Sequence, residues 1–181
     1  MPGVSTKFGP VRQLGYVVRD LDRALEGWLA AGVGPWYVFD PLSLERFHYR
    51  GGASIVPDVA IALSYSGELQ VELIHQRDDT PTLYRDFLAH SADGGLQHPG
   101  FMPADYDAVL ASALADGWEV GHEGAAAGTR FTYLERGNHP GTTVELIDLA
   151  EAMASFMAHI GAAAAAWDGH TGGIHRVGGR R

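Results

Sequence analysis

The chain has 181 residues, enough for one domain or for two small halves that share a core, and 46% of them are hydrophobic. A formal charge of −9 excludes the basic face that nucleic acid requires, and the absence of cysteine excludes disulfides, zinc–thiolate sites and thiol nucleophiles. Residues 1–10 carry no hydrophobic leader, and no apolar run approaches the ~18 residues of a membrane span, so a cytoplasmic protein is expected.

In chain order, residues 11–19 read as a strand rich in β-branched and aromatic residues, with Gln13, Gly15 and Val17 on one face. Asp20 is placed to cap a helix whose apolar stripe is Leu21, Leu25, Trp28 and Leu29, and Gly32 to end it. A second strand is expected at 36–40. Residues 40–57 form the least regular stretch, and Phe47, His48 and Tyr49 before Gly51-Gly52 fit equally a loop over a pocket or a surface excursion. Strands follow at 59–65 and 69–75 about a turn at Gly67, and Pro81 suits the start of a helix running to His90.

The pattern then starts again. A strand at 96–102 leads to a helix capped by Asp105 and stopped by Gly117, with strands at 118–122, 129–136 and 142–149, the last two joined by GNHPG. A helix from about 150 to 165 closes the chain. The glycine- and arginine-rich tail from Trp167 is expected to be mobile. Each half reads β-α-β-β-β, which predicts an α+β fold of two mixed sheets with one helix each. The division is expected at 1–90 and 91–181.

The repetition is also explicit in the letters. VELI stands at 71–74 and again at 144–147, and QLGYVVRDLD at 13–22 answers QHPGFMPADYD at 97–107. His98 and Gln13, Gly100 and Gly15, Asp105 and Asp20, and Gly117 and Gly32 are all 85 residues apart. Gln13 and His98 thus occupy equivalent first strands, and Glu72 and Glu145 equivalent last strands. Taken singly, a strand-end Gln or His is most often solvated, and a lone Glu in a strand most often faces water. Four metal-competent residues at four symmetric positions point instead to one divalent ion of the Mn, Fe, Co, Ni or Zn group. The two carboxylates would neutralise it.

Other candidates are weaker. His48, His75, His122 and His139 lie at strand ends or loops, where surface positions are expected. GGLQHPG leads into a strand rather than a helix, so it is not read as a phosphate loop, and neither Ser54 nor Ser64 has a His/Asp pattern beside it.

The paired β-α-β-β-β halves, GYVVRDLDRAL followed by GVGPW, the repeated VELI and the closing WDG resemble the vicinal oxygen chelate superfamily over residues 11–149. The similarity is to its glyoxalase, bleomycin-resistance and methylmalonyl-CoA epimerase branch. It implies two tandem βαβββ modules forming a curved, glyoxalase-like mixed-sheet cleft around a divalent metal (Zn, Ni, Co, Mn or Fe), with Gln13, Glu72, His98 and Glu145 as ligands. That set resembles glyoxalase I and departs from the epimerase, whose first two ligands are usually His and Gln. It departs further from extradiol dioxygenases, which need two histidines. The resemblance implies an isomerase, epimerase or lyase in which Glu145 or Glu72 removes a proton next to a carbonyl. No set of basic residues suited to glutathione is evident. Trp36, Tyr37, Phe39, Phe47, Tyr49, Tyr65, Phe101 and Tyr133 are the candidates to line the pocket; if three or more face it, a small apolar or aromatic substrate follows. A metal-free binder of a hydrophobic compound, and an extradiol-type dioxygenase, are the alternatives. Exposed sheet edges and the habit of the family predict a homodimer.

Overall fold

The computed structural model describes residues 7–137 and 143–177. Its elements run β1 (Gln13–Val17), α1 (Leu21–Ala30), β2 (Trp36–Phe39), β3 (Arg46–Tyr49), β4 (Val59–Ser66), β5 (Leu69–Gln76), α2 (Leu83–His90), β6 (Gly95–Phe101), α3 (Tyr106–Ala115), β7 (Glu119–Ala126), β8 (Thr129–Glu135), β9 (Val144–Asp148), α4 (Glu151–Ala166) and β10 (Ile174–Arg176). Asp20 and Asp105 cap α1 and α3 as expected, each accepting from the backbone N–H three residues on. Thr82 rather than a residue before Pro81 caps α2, so that helix begins two residues beyond the proline. None of the helices among the described residues is long and apolar enough to cross a membrane.

The fold is α+β, with a curved mixed sheet and four helices. The two sheets expected from the sequence are joined into one ten-stranded sheet, in the order β10-β2-β4-β5-β1-β6-β9-β8-β7-β3. The joint is an antiparallel pairing of β1 with β6, the first strands of the two repeats. On either side the arrangement is the same: β1 runs parallel to β5 and β6 parallel to β9.

Alternation along the strands separates two faces. Val71 and Leu73 point to the outer face and pack on Leu21 and Leu25 of α1. Leu134, Val144 and Leu146 pack in the same way on Tyr106 and Ala113 of α3. The inner face carries Glu72 and Glu145. One end is covered by α2, whose Leu83 and Leu88 pack with Val17, Ile74 and Tyr133. The other is covered by α4, whose Ile160 is fully buried with Leu63 and Tyr37.

Two expectations are corrected. The irregular stretch 40–57 contains β3, which crosses to the other repeat and pairs antiparallel with β7, so the excursion is part of the sheet. Phe47 holds it there: the side chain is 1% exposed and packs edge-on to His122. The tail from Trp167 is ordered as far as it is described. The Trp167 indole N–H donates to the Thr171 carbonyl, and β10 pairs parallel with β2. The GNHPG turn, with His139, falls almost wholly outside the described residues.

Candidate metal centre

The four sequence-selected residues converge at the seam. Gln13, Glu72, His98 and Glu145 stand on β1, β5, β6 and β9, the four central strands, and all are buried. One ligand atom from each of Glu72, His98 and Glu145 lies within 4.8 Å of the others. His98 Nε2 is 3.2 Å from a Glu145 oxygen and 3.8 Å from a Glu72 oxygen. All four come from one chain, so the set needs no second subunit.

Backbone register explains the convergence. Gly15 sits between Glu72 on one neighbouring strand and His98 on the other. Gly100 sits between Glu145 and Gln13. Each ligand of the seam leans across the opposite strand's glycine. A Cβ at position 15 would lie 1.9 Å from the His98 ring, and one at position 100 would lie 2.6 Å from Gln13 Oε1. Only glycine leaves room for these crossings.

Side chains beside the four set their orientation. The Gln97 oxygen accepts from His98 Nδ1 at 2.6 Å. Since that oxygen has no proton to give, Nδ1 carries the hydrogen and Nε2 presents its lone pair to the carboxylates. Gln13 Nε2 donates to Gln70 Oε1 at 2.8 Å, which leaves Gln13 Oε1 toward the centre. Gln70 in turn donates to the Tyr65 hydroxyl at 3.0 Å. Tyr84 of α2 donates to the Tyr133 hydroxyl at 3.1 Å, and Tyr133 lies 3.5 Å from His98 Nε2.

Electrostatically the site is short of positive charge. Burial pushes the Glu72 carboxyl up to about 8, with the neighbouring Glu145 charge adding to the rise and His98 opposing it. Burial raises Glu145 to about 8 as well, against a hydrogen bond from Tyr133. Burial lowers His98 to about 4, against the pull of Glu72. The residues fit a divalent cation on a further ground. Among the described residues, five buried side-chain polar atoms have no hydrogen-bond partner, and three of them are Gln13 Oε1, Glu72 Oε2 and Glu145 Oε2. Orphaned buried acceptors are costly unless a cation or donor meets them. Two carboxylates, an imidazole and an amide oxygen are a donor set for a first-row divalent ion.

Gln13, Glu72 and Glu145 border a cavity that also reaches Phe39, Phe47, Ile61, Leu63, Phe131 and Met157. Of the eight aromatics proposed from sequence, Phe39, Phe47 and Tyr133 line it. Trp36 and Phe101 belong to the outer cores, and Tyr37 packs against α4. Tyr49 bonds Asp86 at 2.8 Å on the surface side.

Sequence reasoning misplaced one histidine. His122 is fully buried, with its ring centroid 4.1 Å from that of Tyr133. The Leu83 N–H donates to His122 Nδ1 at 3.3 Å, so the proton sits on Nε2, which has no partner among the described residues. His48 and His75 bond backbone carbonyls of Gly52 and Val18. Gln70, Gln97 and Tyr84 gave no functional signal as letters, although Gln70 and Gln97 each stand within two residues of one of the four, and Tyr133 was expected only as a pocket wall.

Residues 12–133 match the family model described as Glyoxalase/Bleomycin resistance protein/Dioxygenase superfamily. Among curated proteins none matches. Solved structures share the fold. A methylmalonyl-CoA epimerase from Mycobacterium tuberculosis superposes with a TM-score of 0.57 at 19% identity, over 84% of this chain and 95% of the other. A methylmalonyl-CoA epimerase in complex with methylmalonyl-CoA and NH4+ gives 0.54 at 20% identity, over 79% and 96%. A hypothetical protein from Bacillus halodurans C-125 gives 0.56 at 16% identity, over 78% and 95%.

Proposed function

Because the chain belongs to the glyoxalase/bleomycin resistance protein/dioxygenase superfamily, we propose that it is a metal-dependent enzyme that abstracts a proton next to a carbonyl. The reaction class is isomerase, epimerase or lyase, and the substrate is a small apolar or aromatic carbonyl compound. The observation that carries this reading is the set Gln13, Glu72, His98 and Glu145, with three orphaned oxygens, beside an apolar cavity that Gln13, Glu72 and Glu145 border. A divalent cation held by these four would supply positive charge for the oxygen of an enolate.

The chain's own part is proton movement and exclusion of water. Glu72 and Glu145 both border the cavity, so a substrate carbon seated there meets a carboxylate oxygen. The carboxylate takes the proton, the C–H electron pair passes into the new carbon–carbon double bond, and the carbonyl oxygen gains the charge. Return of the proton to the other face, or to another carbon, gives an epimer or an isomer. No electrons leave the substrate, so the step needs no oxidant. Leu42, Leu44 and Met153 at the cavity wall keep bulk water from the reacting carbon.

Among the described residues, the lining contains no lysine or arginine. In the adjoining groove Arg77 pairs with Asp40 and Asp58, and Asp78 stands beside them. Arg176 borders the same groove, so the charge of the groove does not select the substrate; the apolar lining of the cavity itself supports a small apolar one.

One experiment addresses metal and chemistry together. Elemental analysis of the purified protein should find close to one divalent ion per chain, strongly reduced in His98→Ala. The loaded protein, incubated in heavy water with a panel of small apolar ketones and aldehydes, should place deuterium beside the carbonyl of at least one. Full metal occupancy in His98→Ala would sink the ligand assignment. Dioxygen consumption in place of exchange would favour a dioxygenase, and tight capture of apolar compounds by metal-free protein would favour a binding protein.

A further inference from the structure

The two repeats face the cavity with walls of different chemistry. Glu72 pairs with Leu63 of β4 and Glu145 with Tyr133 of β8, so these two strands hold equivalent places. Alternate residues along each strand share the inner face. On β4 these are Leu63, Ile61 and Val59, on β8 they are Tyr133, Phe131 and Thr129, and all six border the cavity. One wall is therefore aliphatic throughout. The other is a ring set between two hydroxyls.

The hydroxyl of Tyr133 belongs to the centre, where it receives the Tyr84 proton at 3.1 Å and lies 3.5 Å from His98 Nε2. Thr129 stands at the other end of the same wall, four residues along the strand and so about 13 Å away at ~3.3 Å per residue. Its counterpart in the first repeat is Val59, which can offer no hydrogen bond. Thr129 is 8% exposed. Its oxygen accepts the Ala150 N–H at 3.2 Å, where α4 begins. A hydroxyl that accepts still has one proton to give, and among the described residues that proton has no acceptor. Thr129 thus presents a buried donor to whatever fills the cavity.

We propose that Thr129 sets specificity, and that the substrate is an aromatic carbonyl compound with a second hydrogen-bond acceptor at the end of the ring away from the reacting carbonyl. The proposal rests on the reading of this cavity as the substrate site. The reacting carbonyl lies at the end bordered by Glu72 and Glu145, and the ring lies between Phe131 and the aliphatic wall of β4. The second acceptor takes the Thr129 proton. A substrate whose far end is pure hydrocarbon leaves that donor unpaired, and an unpaired buried donor weakens binding.

Two ligands of nearly equal shape read the donor directly. In para-diacetylbenzene an acetyl oxygen stands where para-isopropylacetophenone has a methyl group. Calorimetry gives the dissociation constants of both for wild type, Thr129→Val and Thr129→Ser, each incubated with Zn²⁺ and checked by circular dichroism. In Thr129→Val the preference for the diketone should fall about 2–10-fold from the wild-type value, while Thr129→Ser, which keeps the hydroxyl, should hold it. A merely structural role at the start of α4 would weaken both ligands alike and leave their ratio unchanged. The proposal is overturned if wild type and Thr129→Val show the same ratio, or if neither ligand binds. Should Thr129→Val not fold, wild type alone decides: tighter binding of the isopropyl compound overturns the proposal, and tighter binding of the diketone supports it, since only a donor in the cavity reverses the apolar order. Metal content is read in the same samples. Protein that holds no ion yet shows the Thr129-dependent ratio would refute the metal reading and leave this one standing.

Discussion

Around the centre, the two repeats share a backbone ladder and differ in what they place beside it. Gly15 and Gly100 occupy matching rungs, and each lets a ligand of the other repeat cross the seam. Ligand geometry here is a property of strand register, which duplication copies faithfully because every side chain follows the pleat. The residue beside each glutamate on its outer neighbour strand is not copied: it is Leu63 in one repeat and Tyr133 in the other. A duplicated frame can therefore keep its four polar positions while the walls around its two acids diverge. The repeats differ in a second respect. The first sends β3 across to the edge of the second, where Phe47 closes the cavity wall, whereas the second returns the helix α4 and the edge strand β10, which pack on and pair with the first.

The largest expected effect comes from undoing that crossing. Phe47→Ala removes a fully buried ring from between the repeats and should cost about 3–5 kcal/mol in denaturant unfolding. A loss below about 1 kcal/mol would mean that the excursion contributes little to holding the halves together.

The seam glycines allow a sharper comparison, because the repeat predicts equal roles and the contacts predict unequal costs. Gly15→Ala drives a Cβ into the buried His98 ring, which has no room to retreat. Overpacking of this kind costs about 1–3 kcal/mol, and metal occupancy should fall with it. Gly100→Ala meets first the amide end of Gln13, a flexible side chain, at 2.6 Å. Its loss should be the smaller in both stability and occupancy. Equal losses would contradict the asymmetry.

The pH dependence of metal-stripped protein is expected to be gentler. Glu72 and Glu145 are raised from 4.5 to about 8, so the folded state keeps protons that the unfolded state has released. Stability from these groups is complete below pH 4.5 and is lost as pH rises through 8. His98 is lowered from 6.5 to about 4, and His122 is lowered too, so both act in the opposite sense, but only below about pH 6.5. Between pH 7 and 8 the carboxylates act alone, and stripped protein should lose up to about 1 kcal/mol for each. Bound cation should abolish the loss. Thermal melts across this range with and without Zn²⁺ would check it, and a stripped protein that gained stability with pH would contradict the charge balance.

Much of the centre was legible in the letters, for a physical reason. The repeat offset of 85 aligned Gln13 with His98 and Gly15 with Gly100, and strand alternation placed Glu72 on the face opposite Val71 and Leu73. Helix caps at Asp20 and Asp105, and the glycines that stop both helices, are local events decided within a few residues. Period and capping act over short distances, so sequence carries them directly.

Tertiary structure decided everything that depends on which distant strands meet. β3 has four residues, too few for a pattern that names its partner, and only the sheet shows that it pairs with β7. His122 looked like a surface residue, but a register shift between Val120 and His122 and the arrival of α2 enclose it. The hold of Gln70 on Gln13 is a contact across strands, and the partner of Tyr133, Tyr84, arrives on the linking helix. Sequence supplied the four polar side chains; long-range strand pairing brought them together.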